Sequence, residues 1–175
     1  VELAGQLGRQ AREDPLTGLA NRRHADCELA IGVPAIQPGA QLTLALLDID
    51  HFKAINDQHG HLVGDRIITQ VAAELGRMLD TGTPLFRYGG EEFSVMLDSD
   101  DASAGVALAE RLRGAIASAD FQGVSVTVSI GVAVWRRGDG SVPAALDRAD
   151  RALYEAKRSG RNRVVASGDG VPDAA

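Results

Sequence analysis

Residues 87–93 read Arg-Tyr-Gly-Gly-Glu-Glu-Phe, and the interpretation of the whole chain starts from this stretch. The segments on either side, 84–88 and 91–97, are rich in residues that favour strands, so the stretch predicts a β-hairpin. We expect Gly89 and Gly90 to form a two-residue type I′ turn, which requires positive φ at both positions. Two interpretations stay open: a tight hairpin, or a turn whose lack of side chains lets a phosphate approach the backbone.

An apolar segment predicts the strand beside which this hairpin would lie. Residues 41–49 form a nearly unbroken apolar run, which is typical of a strand covered on both faces. Asp48 lies where the strand ends, and strand ends in α/β sheets are common ligand sites. If the hairpin is adjacent, Asp48 and Glu91 converge, and two carboxylates with backbone oxygens suit Mg²⁺. For one acidic residue alone, a solvated turn is the commoner explanation.

The remaining pattern predicts a mixed sheet with helices packed on it, an α/β (α+β) fold. Apolar residues recur every four positions from Val63 to Leu79, which indicates an amphipathic helix. The predicted order of the main elements is α-β-α-ββ-α-β-α-β, with a further short helix after the first strand. Helices are expected at 20–31, 51–58, 62–79, 101–119 and 141–159, a loop at 31–40, a long strand or bent pair at 124–135, and a last strand at 163–167.

Composition narrows the class of protein. The chain has 175 residues, 45% of them hydrophobic, which fits one globular domain. A net charge of −6 argues against a general binder of nucleic acid or anionic membranes. The single cysteine, Cys27, excludes an internal disulfide and fits a reducing cytoplasm. No apolar run reaches the length of a membrane-spanning helix.

The chain begins at Val1, and we interpret it as a piece of a larger protein, in which a sensor or membrane anchor would lie upstream. Residues 1–13 are expected to be a linker helix, 14–167 the domain, and 168–175 a disordered tail.

Polar residues after the buried strand suggest a nucleotide site. Lys53 is a candidate for neutralising phosphate, or an ordinary surface lysine. Asn56 and Asp65 are candidate guanine readers, since an amide can donate to a ring acceptor and a carboxylate can accept from ring and amino N–H groups. Asp65 could instead cap the helix at 62–79. Gly64 beside it suggests the close approach of a base.

Two further groups of polar residues are candidates for a role at this site. His51, His59 and His61 lack the cysteine or HExxH context of a zinc site. Lys157 and Arg161 lie four apart where Gly160 ends a helix, so both could reach a triphosphate. Cations at a helix C-terminus are also favourable without any ligand.

Five motifs in this order resemble the GGDEF family, the diguanylate cyclases, in its GGEEF variant. The resemblance covers residues 14 to 166. The motifs are DPLTGLANRR (14–23), DIDHFKAINDQHGHLVGD (48–65), RYGGEEF (87–93), TVSIGVA (127–133) and ADRALYEAKRSGRNRV (149–164). A lone GGEEF would be far less specific.

The resemblance implies a palm-like fold, shared with class III nucleotide cyclases and some polymerases. It implies that two GTP become cyclic di-GMP with release of two pyrophosphates, with Mg²⁺ (or Mn²⁺) as cofactor. Each domain would hold one GTP, so catalysis would need a homodimer. The domain would be the signalling output module of a bacterial, cytoplasmic or membrane-anchored protein with an upstream sensor or receiver domain.

The resemblance also assigns roles to residues. The metal ion would be held by Asp48, the carbonyl of Ile49, and Glu91. Glu91 would be the base for the attacking 3′-hydroxyl, with Glu92 and Lys53 supporting catalysis. The substrate contacts would be Asn56, His61, Asp65, Lys157, Arg161, Gly89, Gly90 and Phe52.

Two other functions stay open at this stage. One is a catalytically silent GTP-binding or dimerisation module, although such domains usually show a broken signature, and this one is intact. The other is a cyclase that makes cyclic mono- or mixed dinucleotides. Asn56 and Asp65 argue against it, because they favour guanine.

The chain departs from the family at the inhibitory product site, an RxxD motif with five residues between its Asp and the first signature glycine. That register holds Asp80 and Thr83 here. An RxxD does occur at Arg77–Asp80, but eight residues separate Asp80 from Gly89.

We therefore predict no ordinary product inhibition at this site. Cyclic di-GMP titrated into the domain, followed by calorimetry, should show no submicromolar site that depends on Arg77. Submicromolar binding that Arg77→Ala abolishes would contradict the prediction.

Overall fold

A six-stranded mixed sheet forms the centre of the computed structural model, which describes residues 12–35, 41–99, 102–136 and 141–168. The strands are β1 (Ala20–Asn21), β2 (Gln41–Ile49), β3 (Leu85–Arg87), β4 (Glu92–Ser99), β5 (Val128–Arg136) and β6 (Val164–Ala166). The helices are α1 (Arg22–Ala35), α2 (Phe52–His59), α3 (His61–Met78), α4 (Ala102–Ser118) and α5 (Val142–Arg158). Most of the predicted linker helix and the tail beyond Gly168 lie outside the described residues.

The strand order is β1-β3-β4-β2-β5-β6. The outer pairs, β1 with β3 and β5 with β6, are parallel, and the three central pairings are antiparallel. This arrangement confirms the predicted α/β (α+β) class and the hairpin of β3 and β4 that carries the GGEEF stretch.

Strand β2 is buried on both faces of the sheet, as its apolar run predicts. Its side chains alternate between two cores. Ala45, Leu47 and Ile49 pack in the core that α2, α3 and α4 cover. On the other face, Leu42 and Leu44 pack with α1 and α5, and Leu46 packs with α5. Because the middle of the sheet is covered on both sides, the end of β2 has a fixed position relative to helices on both faces.

The first helix differs from the prediction at both ends. It begins at Arg22 rather than residue 20, because the Asn21 side chain accepts a hydrogen bond from the His24 amide at 3.1 Å and caps the helix. Ala20 and Asn21 instead form β1. The helix continues to Ala35, so the predicted loop at 31–40 is wrong for 31–35, while 36–40 lie outside the described residues. Pro34 lacks an amide hydrogen, and the helix ends one residue after it.

The predicted strand at 124–135 is a single strand that starts later, at Val128. Gln122 and Gly123 adopt positive φ of 57° and 82°, and the Val124 amide donates to the Phe121 carbonyl at 3.2 Å. This tight turn occupies the start of the predicted strand, so pairing with β2 begins only after it.

Helix α5 lies directly against β5 at Gly131. A Cβ added at this glycine would collide with the Ala149 carbonyl and the Leu153 amide, and would lie 2.8 Å from the Leu153 Cα. The absence of a side chain therefore permits close helix–strand packing. The same packing sets the position of Lys157 in the last turn of α5.

We predict that Gly131→Ala lowers the free energy of unfolding by about 3 kcal/mol or more, because backbone atoms of α5 must move to admit the methyl group. Urea denaturation would measure the change. Gly76→Ala is the matched control: nothing lies within 4 Å of its added Cβ in α3. That variant should be more stable than wild type by about 0.5–1 kcal/mol. Equal stabilities for the two variants would contradict this account of the packing.

Candidate active site

The end of β2 and the hairpin form the centre of the site. Asp48 pairs in register with Glu92 of β4 on one side and with Ser129 of β5 on the other. The Ile49 amide donates to the Glu91 carbonyl at 3.2 Å. The hairpin therefore lies beside β2, as expected, and brings two glutamates to the strand end that carries Asp48.

The hairpin does not contain the predicted type I′ turn. Neither Gly89 nor Gly90 adopts the left-handed backbone. The amides of Tyr88 and Gly89 both donate to the Glu92 carbonyl, at 2.8 and 3.2 Å, so three residues (89–91) form the loop. The Glu92 carboxylate lies over Gly89, so it would have to move if residue 89 had a side chain, whereas an added Cβ at Gly90 meets nothing within 4 Å.

Arg87 holds the tip of this loop and joins it to the start of the domain. Its Nη2 and Nε donate to the Gly90 carbonyl at 2.7 and 3.1 Å, and its Nη1 donates to both oxygens of Asp14 at 2.8 and 2.9 Å. The Thr17 amide and hydroxyl also donate to Asp14, at 2.9 and 2.8 Å. Burial alone would raise the pKa of Asp14, but these hydrogen bonds outweigh it and hold that pKa below its usual value. The sequence interpretation missed this link.

Lys157 reaches from α5 to the same strand end. Its Nζ lies 2.7 Å from Asp48 Oδ2, and the Asp48 side chain is 9% exposed. Burial raises the pKa of Asp48 to about 6; Lys157 opposes this shift, while the negative charges of Glu91 and Glu92 add to it. Burial and the two neighbouring glutamates together thus outweigh the single ammonium group in contact with Asp48.

The two candidate guanine readers, Asn56 and Asp65, lie on α2 and α3. The Asn56 side chain lies against Gly64: an added Cβ there would collide with Asn56 Oδ1 and lie 3.1 Å from the Phe52 ring. Gly64 is thus explained by packing within the chain rather than by a base. Asn56 Oδ1 is buried without a hydrogen-bond partner. Phe52 belongs to the core.

The proposed capping role of Asp65 is not observed. Helix α3 begins at His61 with Gly60 as its N-cap, so Asp65 lies in the second turn, exposed. Lys53 and His61 are also exposed, on α2 and at the start of α3. Arg161 follows α5 and is partly exposed. The structure thus joins Asp48 to Lys157 by contact and to the two glutamates through the pairing of β2 with the hairpin. Lys53, His61 and Asp65 are surface side chains that no such contact joins to this group.

The off-register pair Arg77 and Asp80 lies at the end of α3. Arg77 forms an ion pair with Glu74 of the same helix. Asp80 is exposed, its carbonyl accepts from the Thr83 amide at 3.0 Å, and Gly82 has a φ of 95°. The segment therefore turns sharply between Asp80 and β3.

Asp50 is a second residue that the sequence interpretation missed. It is 4% exposed and accepts hydrogen bonds from Thr127 Oγ1 at 2.7 Å, Ser129 Oγ at 2.6 Å and the Asn162 amide at 3.0 Å. The available signal was the spacing: Asp48 and Asp50 are two apart at a strand end, which predicts that both point to the same face.

Comparison with known proteins shows which family this chain resembles. The family model described as "Diguanylate cyclase, GGDEF domain" matches residues 11–163. The diguanylate cyclase DgcP of Pseudomonas aeruginosa is 44% identical over 160 residues, which cover 89% of this chain and 24% of that protein. The diguanylate cyclase VdcA of Vibrio cholerae is 40% identical, over 94% of this chain and 49% of that protein.

Solved structures show the same fold. The coiled coil and GGDEF domain of DgcB from Caulobacter crescentus, in complex with cyclic di-GMP, gives a TM-score of 0.86 at 39% identity, covering 94% of this chain and 90% of that one. The active GGEEF domain of a diguanylate cyclase from Vibrio cholerae gives 0.76 at 34% identity, covering 87% and 99%.

The chain spans about a quarter to a half of the length of the curated relatives compared above. Within the described ranges, no helix is long and apolar enough to span a bilayer.

The pKa of Asp48 predicts a pH-dependent effect on stability. Because the folded-state pKa lies above the usual 3.8, the metal-free protein loses stability as pH rises through about 6. Asp48→Asn cannot ionise, so its free energy of unfolding in EDTA at pH 7.5 should exceed that of wild type by on the order of 2 kcal/mol. Its melting temperature should accordingly be a few degrees higher. Below about pH 4 the two should melt alike. A pH-independent difference would contradict the prediction, and Asp80→Asn, an exposed aspartate, is the control.

Proposed function

Because the chain belongs to the GGDEF family, we propose that it is a diguanylate cyclase domain, which joins two GTP into cyclic di-GMP and releases two pyrophosphates. The observation that carries this proposal is the meeting of Asp48, the Glu91–Glu92 hairpin and Lys157 at the end of β2. Acidic oxygens that bind a cation, next to a lysine that can bind phosphate, are what nucleotidyl transfer requires.

The donor set fits Mg²⁺. Asp48 and Glu91 offer carboxylates, Ile49 offers a backbone carbonyl, and all are hard oxygen ligands. In the part of the chain that the structure describes, no three His, Cys, Asp or Glu side chains form a metal-binding group. Two carboxylates plus waters and substrate phosphates are nonetheless the usual ligands of Mg²⁺. When bound, this ion supplies positive charge to the phosphates as negative charge develops on them.

The phosphates of GTP would lie between the hairpin and the end of α5. The open space beside Gly90 admits a phosphate to the backbone of the loop. Lys157 would transfer one of its hydrogen bonds from Asp48 to the triphosphate, and Arg161 and Lys53 would add positive charge. The guanine would lie against α2 and α3, where the buried Asn56 Oδ1 lacks a partner and Asp65 is exposed.

In the reaction, the 3′-hydroxyl of one GTP attacks the α-phosphorus of the other, the new P–O bond forms, and the bond to pyrophosphate breaks. Glu91 would accept the hydroxyl proton, and Glu92 would hold the hairpin in position by its contact over Gly89. Since each domain holds one nucleotide, two domains must face each other, and the second attack completes the ring. The segment before Asp14 would transmit control of this pairing from upstream domains.

We predict that Glu91→Gln lowers the rate of cyclic di-GMP formation by about 10²-fold or more, because the variant lacks the proton acceptor. Mass spectrometry after incubation with GTP and Mg²⁺ would measure the product. Glu74→Gln, on α3, is the matched control and should retain the rate.

The dependence on protein concentration tests the dimer. Product should rise faster than linearly with protein. If GTP binds but no product forms at any concentration, the silent module is supported, unless tethering two copies through a dimerising helix restores synthesis.

Competition by ATP as strong as by GTP would contradict the assignment of guanine to Asn56 and Asp65.

A further inference from the structure

Asp50 is a buried carboxylate to which the proposed reaction gives no role. Its three hydrogen-bond donors come from two distant parts of the chain: Thr127 and Ser129 at the start of β5, and the Asn162 amide in the loop between α5 and β6. A buried carboxylate is tolerated only where donors surround it. The contact therefore fixes the 160–163 loop to the end of β2.

That loop has an unusual backbone. Gly160, Arg161 and Asn162 adopt positive φ of 116°, 60° and 45° in succession. Residues other than glycine rarely adopt this conformation, and they keep it only where surrounding contacts hold them. The Arg161 amide donates to the Ala156 carbonyl at 3.0 Å, and the next amide, that of Asn162, donates to Asp50.

The end of β2 thus holds the end of α5 at two points. Asp48 contacts Lys157 in the last helical turn, and Asp50 contacts Asn162 in the loop. Arg161 lies between these two attachments. A second support comes from α4, where Arg113 Nη1 donates to Asn162 Oδ1 at 2.8 Å.

We propose that Asp50 is a positioning residue for Arg161. By holding the Asn162 amide, it keeps the left-handed backbone of the loop. That backbone sets where the Arg161 side chain starts, from which its guanidinium would reach the phosphates of the nucleotide. The inference deepens the proposed function and rests on it, since that function gives Arg161 its phosphate ligand.

Binding of a GTP analogue with a methylene group between the α- and β-phosphates tests the inference by calorimetry. Asp50→Asn has one acceptor oxygen fewer and cannot serve all three donors. Its affinity should fall roughly tenfold or more, the scale of one charge-assisted hydrogen bond. The affinity of Arg161→Ala for the analogue should fall to a similar extent, and the double variant should bind no more weakly than Arg161→Ala alone. Wild-type affinity in Asp50→Asn, or additive losses in the double variant, would overturn the inference.

A pair of variants at Asn162 tests the backbone without altering the buried carboxylate. Asn162→Val and Asn162→Gly both lose the contact with Arg113 and both keep the amide. They differ in that a β-branched residue opposes positive φ and glycine accepts it. The glycine variant should bind the analogue roughly tenfold more tightly than the valine variant. Equal affinities would overturn the inference, even if Asp50→Asn does not fold.

Two readouts separate this inference from the proposed function. Hydrogen exchange of the Arg161 and Asn162 amides should accelerate in Asp50→Asn, while exchange in β2 stays as in wild type. A wild-type chain that binds the analogue but forms no cyclic di-GMP, even when two copies are tethered through a dimerising helix, contradicts the proposed function alone. A wild-type chain that forms cyclic di-GMP, with Asp50→Asn equal to it in affinity and in KM for GTP, contradicts the inference alone.

Discussion

The register of β2 against β4 is the constraint on which the site depends. Leu47 lies opposite Phe93, and Asp48 opposite Glu92. A slip of one residue would turn every side chain of β2 to the other face of the sheet. Both faces are buried, so apolar packing on two sides opposes that slip. The position of the carboxylates is therefore fixed by hydrophobic packing, even though the carboxylates themselves repel.

Local patterns predicted most of the fold. Strand β2, helix α3 and helix α5 were expected within one or two residues of their observed bounds, because an apolar run, a four-residue period and a glycine stop are local signals. The meeting of Asp48 with the hairpin also followed from local signals, given that the hairpin is adjacent to β2. The end of α1 does not follow from local signals. The prolines at 34 and 38 predict a loop from residue 31, whereas the helix continues to Ala35.

Contacts between distant parts of the chain could not be predicted. The turn of the hairpin is set by Arg87, whose other partner, Asp14, lies 73 residues away. The Asp50–Asn162 contact spans 112 residues. Lys157 was assigned to phosphate, and its contact with Asp48 emerged only from the packing of α5 on β5 at Gly131. Polar pairs of this kind leave no periodicity, since each depends on where separate elements finally lie.

The link between Asp14 and Arg87 has a mechanical consequence. The chain enters the domain at the residue whose carboxylate holds the guanidinium that clamps the Gly90 carbonyl. The Asp14 and Arg87 side chains thus join the first residues of the domain directly to the loop of the hairpin. A displacement of the backbone at Asp14 would be passed to the Gly90 carbonyl through these two side chains.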